Sequence, residues 1–180
     1  LCVIENLPVM GVDRNMRNIE SDKEFEGRIR PQALVNFAGQ DKIVANLKIF
    51  IKAALMRGDS LDHVLLHGPP GLGKTTLAKI VANALDRPFY TLSAVTSGVK
   101  DVREVIEKAK NQHLFNARPA FLFIDEIHRF NKSQQDSLLG AVEQGIVTLI
   151  GATTENPSFE VISPLLSRCQ VYVLKPMEDS

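Results

Sequence analysis

The sequence predicts a three-layer α/β domain built on a five-stranded, mainly parallel sheet. Three observations carry that expectation. Five short apolar runs are separated by segments of helical period, so strand and helix alternate along the chain. Those runs are mainly apolar and do not alternate cleanly with polar residues, as strands covered on both faces require. A turn rich in glycine and proline joins the first run to the helix after it.

Taken in order, residues 1–30 are polar, lack a sustained period, and are expected to form a poorly defined arm. The opening LCVIENLPVM is apolar but short and holds Glu5 and Pro8, so it reads as neither a membrane span nor a signal peptide. The core is expected over residues 31–175. From Asp41, the residues Ile43, Val44, Leu47, Phe50, Ile51, Ala54 and Leu55 follow helical spacing until Gly58 stops the run. HVLLH (63–67) is the first strand, and TTLAKIVANAL (75–85) is a helix. FYTLS (89–93) is the second strand, and Val102, Val105, Ile106 and Ala109 mark the next helix. AFLFI (120–124) is a buried strand, and SQQDSLLGAVEQ (133–144) a helix. IVTLIGA (146–152) and VYVL (171–174) supply the last two strands. Residues 176–180 read as a tail.

A chain of 180 residues with 44% apolar content suits one large domain with a real core. Lys plus Arg and Asp plus Glu balance at 21 each, which gives no electrostatic footprint for nucleic acid. Cys2 and Cys169 form no C-x-x-C pattern, which fits a reduced, cytoplasmic protein. The four histidines and two cysteines show no metal-ligand spacing.

The joining turn carries the first chemistry. HGPPGLGKTTLA contains Gly68, four residues, then Gly73, Lys74 and Thr75, matching G-x-x-x-x-G-K-[ST]. Such a turn curls so that successive N–H groups face phosphate oxygens, and the helix that follows adds its positive dipole end. Gly68, Pro69, Pro70, Gly71, Leu72, Gly73, Lys74, Thr75 and Thr76 are therefore the candidate cradle for ATP. Lys74 is placed to reach the β- and γ-phosphates, and the Thr75 hydroxyl to bind Mg²⁺. The competing reading is a Gly/Pro turn that matches by accident. Chance matches in a chain of this length are on the order of 1%, and this one lies in the required context between strand and helix.

The second motif is FLFIDEIHRF, where a buried strand ends in Asp125 and Glu126. Ligand sites in parallel sheets lie at the carboxyl ends of strands, which brings this pair to face the cradle. Asp125 can hold Mg²⁺ and Glu126 can polarise an attacking water. A second carboxylate beside the metal-binding one points to hydrolysis of nucleotide over storage of it. His128 reads as a packing or hydrogen-bonding residue.

These residues together resemble an AAA+ ATPase of the clamp-loader and RuvB branch, an α/β P-loop NTPase core. RIRPQALVNFAGQDKIVANLKIFIKAALMRGDSLDHVLLHGPPGLGKTTLAKIVANAL is similar to RuvB, the Holliday-junction branch-migration motor. LSAVTSGVKDVREVIEKAK, FIDEIHRFNKSQQDSLLGAVEQG and IGATTENPSFEVISPLLSRCQVYVL are similar to RarA, the replication-associated recombination ATPase. Glu143 runs almost directly into GIVTLIGATT, which leaves no room for the long hairpin RuvB uses to dock RuvA.

The resemblance implies further roles. RPQALVNFAGQ corresponds to the segment that packs on the adenine, with Gly39, Gln40 and Ile43 as its contacts; a plain loop and helix start is the alternative. Thr154 takes the place of the polar residue that holds the attacking water, with Asn156 as rival. Ser93 corresponds to a switch residue or is merely structural. Arg168 corresponds to an arginine finger that reaches a neighbour's ATP in a homo-oligomeric ring; its alternative is an arginine paired with a local carboxylate. Lys100 and Lys132 are pore-facing by analogy or solvated surface lysines. A helical lid is expected beyond the last strand and absent from this chain. The implied activity is ATP hydrolysis that remodels branched or forked DNA, and the alternative is an ATP-binding assembly switch with little turnover.

Overall fold

The computed structural model describes residues 31, 33–58, 61–115 and 118–176. The arm expected over residues 1–30 lies outside them, as does the tail from residue 177. The chain divides into two units, Leu1–Pro31 and Gln32–Ser180, and the fold is that of the second.

Five strands form one sheet: β1 (His63–His67), β2 (Phe89–Ser93), β3 (Ala120–Asp125), β4 (Val147–Thr153) and β5 (Cys169–Val173). Their order is β2-β3-β4-β1-β5. Every strand pair runs parallel, so the mainly parallel sheet expected is wholly parallel among the described residues. The longer helices are α1 (Asp41–Arg57), α2 (Lys74–Ala84), α3 (Val99–Phe115) and α4 (Lys132–Glu143). Two single-turn helices follow, α5 (Pro157–Glu160) and α6 (Ser163–Leu166).

Alternation along each strand divides the core into two faces. Val64, Leu66, Phe121 and Phe123 meet Leu47 and Ile51 of α1 and Leu77 and Val81 of α2. Leu65, Leu122, Ile124 and Leu149 meet Val102 and Ala109 of α3 and Leu138 and Ala141 of α4. These are the three layers. Each such leucine or phenylalanine contributes about 1.5–3 kcal/mol by leaving water. Among the described residues no helix is long and apolar enough to cross a membrane.

Local chemistry fixes the helix ends. Gly58 closes α1 at φ 71°, its N–H donating to the Ala54 and Leu55 carbonyls. Asn131 and Gln134 form a reciprocal capping box that starts α4. β5 begins two residues before the apolar run VYVL. Among the described residues this edge strand pairs only with β1, from His63 opposite Cys169, and its exposed Gln170 hides that start from a reading by hydrophobicity. All five strands point the same way, so the exits of β1, β3 and β4 gather at one end.

Candidate functional site

At that end the backbone leaves β1 through Gly68, whose N–H donates to the Thr153 carbonyl at 3.1 Å. A Cβ on Gly68 would lie 2.6 Å from the Leu174 carbonyl oxygen, so only glycine lets the exits of β1, β4 and β5 approach so closely. Gly73 turns into α2 at φ 76°, and a Cβ there would meet the Phe37 ring at 3.1 Å. Phe37 therefore packs against the last turn of the loop, a contact nothing in the sequence flagged. Pro69, Pro70 and Gly71 are exposed between these glycines, and Leu72, Thr75 and Thr76 are half-buried.

Lys74 opens α2 and is buried. Its Nζ donates to the Gly68 carbonyl at 2.6 Å and the Pro69 carbonyl at 2.8 Å, so the loop closes on its own cation. Burial lowers the Lys74 pKa, while the nearby Glu126 and Asp125 carboxylates push it upward. The acidic pair thus does face the loop. Thr75 and Asp125 offer a hydroxyl and a carboxylate, hard oxygen donors that suit a Mg²⁺ completed by phosphate oxygens and water.

Asp125 ends β3 in register with Ser93 of β2. Glu126, the next residue, sits at φ 53° and ψ 47°, a left-handed conformation that is uncommon for a residue with a side chain. Such strain costs on the order of 1–3 kcal/mol and persists where surroundings hold it. Here the carboxylate is held: Glu126 Oε2 accepts the Thr154 hydroxyl at 3.1 Å and lies 3.2 Å from His128 Nδ1. Of the two candidates after β4, it is Thr154 that reaches Glu126. The exposed Asn156 caps α5 by accepting the Ser158 N–H instead.

His128 makes the hydrogen bond expected of it, and the network assigns its tautomer. The buried Thr153 hydroxyl donates to the Glu155 carbonyl at 3.1 Å and accepts the Glu155 N–H at 3.0 Å. His128 Nδ1, 2.9 Å from the same oxygen, must therefore carry the proton and donate. That N–H also faces Glu126, tying the exits of β3 and β4 together.

The other expected residues are more dispersed. Gln40 spends its amide on the Lys175 backbone, donating to the carbonyl at 2.6 Å and accepting the N–H at 3.3 Å. Ile43 belongs to the core beside Leu34 and Phe37, whereas Gly39 is exposed at φ 82°. Lys100 and Lys132 are exposed at the starts of α3 and α4. Arg168 directly precedes β5, at the strands' amino ends. The five residues of β5 span roughly 15 Å, so Arg168 lies at the opposite end of the sheet from the loop of its own chain. Its guanidinium meets Glu143 Oε1 at 2.6 Å and donates to the Pro164 carbonyl at 2.7 Å. In a single chain, Arg168 thus adopts the local-carboxylate pairing.

Comparison with known proteins agrees with this fold. Residues 29–166 match the family described as the Holliday junction DNA helicase RuvB P-loop domain. The chain is 51% identical over 150 residues to ATPase WRNIP1 of Dictyostelium discoideum, covering 83% of this chain and 17% of that protein. It is 48% identical over 160 residues to the Replication-associated recombination protein A of Escherichia coli K12, covering 87% and 35%. Among solved structures, the RuvB Holliday junction branch migration motor of Thermotoga maritima superposes with a TM-score of 0.68 at 41% identity. That match covers 81% of this chain and 47% of the other. The chain therefore spans less than half the length of each of these relatives. Motif, strand order and likeness converge, and the chain belongs to the RuvB P-loop domain family of AAA+ ATPases.

Proposed function

We propose that this chain is the Mg²⁺-dependent, ATP-hydrolysing core of a ring-forming remodeller of branched or forked DNA. The observation that carries hydrolysis is the Thr154 hydroxyl on Glu126 Oε2 at 3.1 Å, beside the phosphate loop. Backbone N–H groups from Gly71 to Thr76 cradle the phosphates, and Lys74 exchanges its two loop carbonyls for phosphate oxygens. Thr75 and Asp125 would hold Mg²⁺, which when bound neutralises phosphate charge. Glu126 polarises the attacking water and Thr154 orients it.

Arg168 is too far from the loop of its own chain to serve it. A head-to-tail contact would bring it to a neighbour's γ-phosphoryl group, where a guanidinium meets the charge spread over three oxygens. The Glu143 partner is then given up for phosphate. The DNA part of the proposal rests on the relatives' names, which speak of replication-associated recombination and of Holliday junction branch migration. Only residues 144–146 separate α4 from β4, with no hairpin between them, which favours the fork-maintenance role over RuvA-coupled migration.

A Glu126→Gln variant tests the hydrolytic reading. It is expected to bind ATP and retain it while wild type clears it, with wild-type turnover rising on forked DNA over duplex. Equal clearance by both defeats the Glu126 role. The second reading, an ATP-gated assembly switch, is favoured by the Arg168–Glu143 pairing that keeps the guanidinium occupied in a lone chain. Nucleotide-dependent assembly with negligible turnover would support it.

A further inference from the structure

After the left-handed residue Glu126 the chain closes a single helical turn, Ile127–Arg129. The Arg129 N–H donates to the Glu126 carbonyl at 2.8 Å, and the Phe130 N–H to the Ile127 carbonyl at 3.0 Å. Ile127 and Phe130 are both buried in the core, so the turn is anchored on either side of His128. The ring is thereby fixed against two oxygens, with Nδ1 2.9 Å from Thr153 Oγ1 and 3.2 Å from Glu126 Oε2. The His128 side chain is 9% exposed, which leaves little water to compete for the Nδ1–H.

One proton thus serves two acceptors, and each belongs to one half of the pair that handles water. Thr153 Oγ1 shapes the turn at residues 153–155 through its two bonds to the Glu155 backbone, and that turn presents Thr154. The Thr154 hydroxyl donates to Glu126 Oε2, the same oxygen that His128 faces. Oε2 therefore has two donors for its two lone pairs. Among the described residues Oε1 has none. The two oxygens of one carboxylate are set apart: one is spent on the fold, and the other is left for the O–H of a water.

We propose that His128 is a positioning residue for Glu126: with Thr154 it ties down Oε2, so that Oε1 is the oxygen offered to the attacking water. This rests on the reading that Glu126 handles that water. His128 touches no reacting atom and acts only through the carboxylate. A carboxylate tied twice at one oxygen loses most of its freedom to turn, and misplacing a group by about 1 Å costs roughly 10²-fold in rate.

Steady-state turnover of full chains, with every variant at one chain concentration, tests it. His128→Leu is expected to lower kcat roughly tenfold or more, with KM for ATP little changed. His128→Asn, whose Nδ2 can take the place of Nδ1, regains most of that loss. His128→Gln, whose amide reaches further than Nδ1, does not. In a Glu126→Gln chain His128→Leu costs far less, because the carboxylate it would misplace is already gone. Three results overturn the proposal: His128→Leu as fast as wild type, His128→Asn no better than His128→Gln, or an equal loss in the Glu126→Gln chain. The last would make His128 only a staple to Thr153. If His128→Leu does not fold, His128→Asn and His128→Gln are compared with wild type and read the same way. A Glu126→Gln chain as fast as wild type instead brings down the Glu126 reading and the positioning with it.

Discussion

At the carboxyl ends of the strands, Lys74 is buried against two carbonyls, and Glu126 is held in a left-handed turn by Thr154 and His128. At the amino end of β5, Arg168 and Glu143 are 41% and 46% exposed and grip each other in water. The first end is pre-set; the second is held by a contact that solvent and salt compete for. An exposed ion pair contributes about 0–1 kcal/mol, little enough that a phosphate can displace the carboxylate. A group meant to act on its own chain gains from rigidity, and one meant for a neighbour gains from a partner it can surrender.

The largest effect expected from this contrast is at the rigid end. Lys74→Ala leaves the Gly68 and Pro69 carbonyls without their cation and removes the charge for phosphate. Nucleotide affinity is expected to fall by roughly 10²-fold or more, read by titration with a fluorescent nucleotide. Affinity unchanged within a factor of about two would remove the loop from the site.

Next comes the exchangeable end, where stability and turnover should part company. Arg168→Ala is expected to shift the unfolding free energy by no more than about 1 kcal/mol while turnover falls by roughly 10²-fold. Urea melts and steady-state rates on one preparation check both halves. A large loss of stability with unchanged turnover would make the Glu143 pair the whole purpose of the arginine.

The smallest effect is a pH dependence beside that end. His63 Nδ1 accepts the Leu149 N–H at 3.0 Å, a bond only the neutral ring can make. Burial lowers the His63 pKa from 6.5; Asp62 opposes that and Arg168 adds to it. The unfolded chain therefore binds the proton more readily, and stability present above about pH 6.5 is lost as pH falls toward the lowered folded value. Urea midpoints on either side of pH 6.5 should differ by more in wild type than in His63→Asn, whose Oδ1 can take the same acceptor position. Parallel pH profiles in both would exclude His63 as the source.

How much of this was legible in the sequence follows the same divide. The phosphate loop and the Asp125–Glu126 pair were readable because glycine spacing and strand-end carboxylates carry their chemistry within a few residues, whereas Thr154 came only through the family resemblance, with Asn156 as its rival. The left-handed turn at Glu126 was not, since nothing in the letters IDEIH demands a positive φ. Phe37 under Gly73, the Gln135 bond to the Glu160 carbonyl and the Arg168–Glu143 pair join residues 25 to 36 positions apart. Only the folded sheet brings them together. Even the start of β5 depends on β1 pairing with Cys169 and Gln170, which no local pattern announces.

The measurement that bears most directly on an active site shared between subunits is specific ATPase activity against chain concentration, for wild type and Arg168→Ala side by side. The account predicts that wild-type activity per chain climbs with concentration to a plateau while Arg168→Ala stays low throughout. Fast turnover in both, independent of concentration, would contradict it.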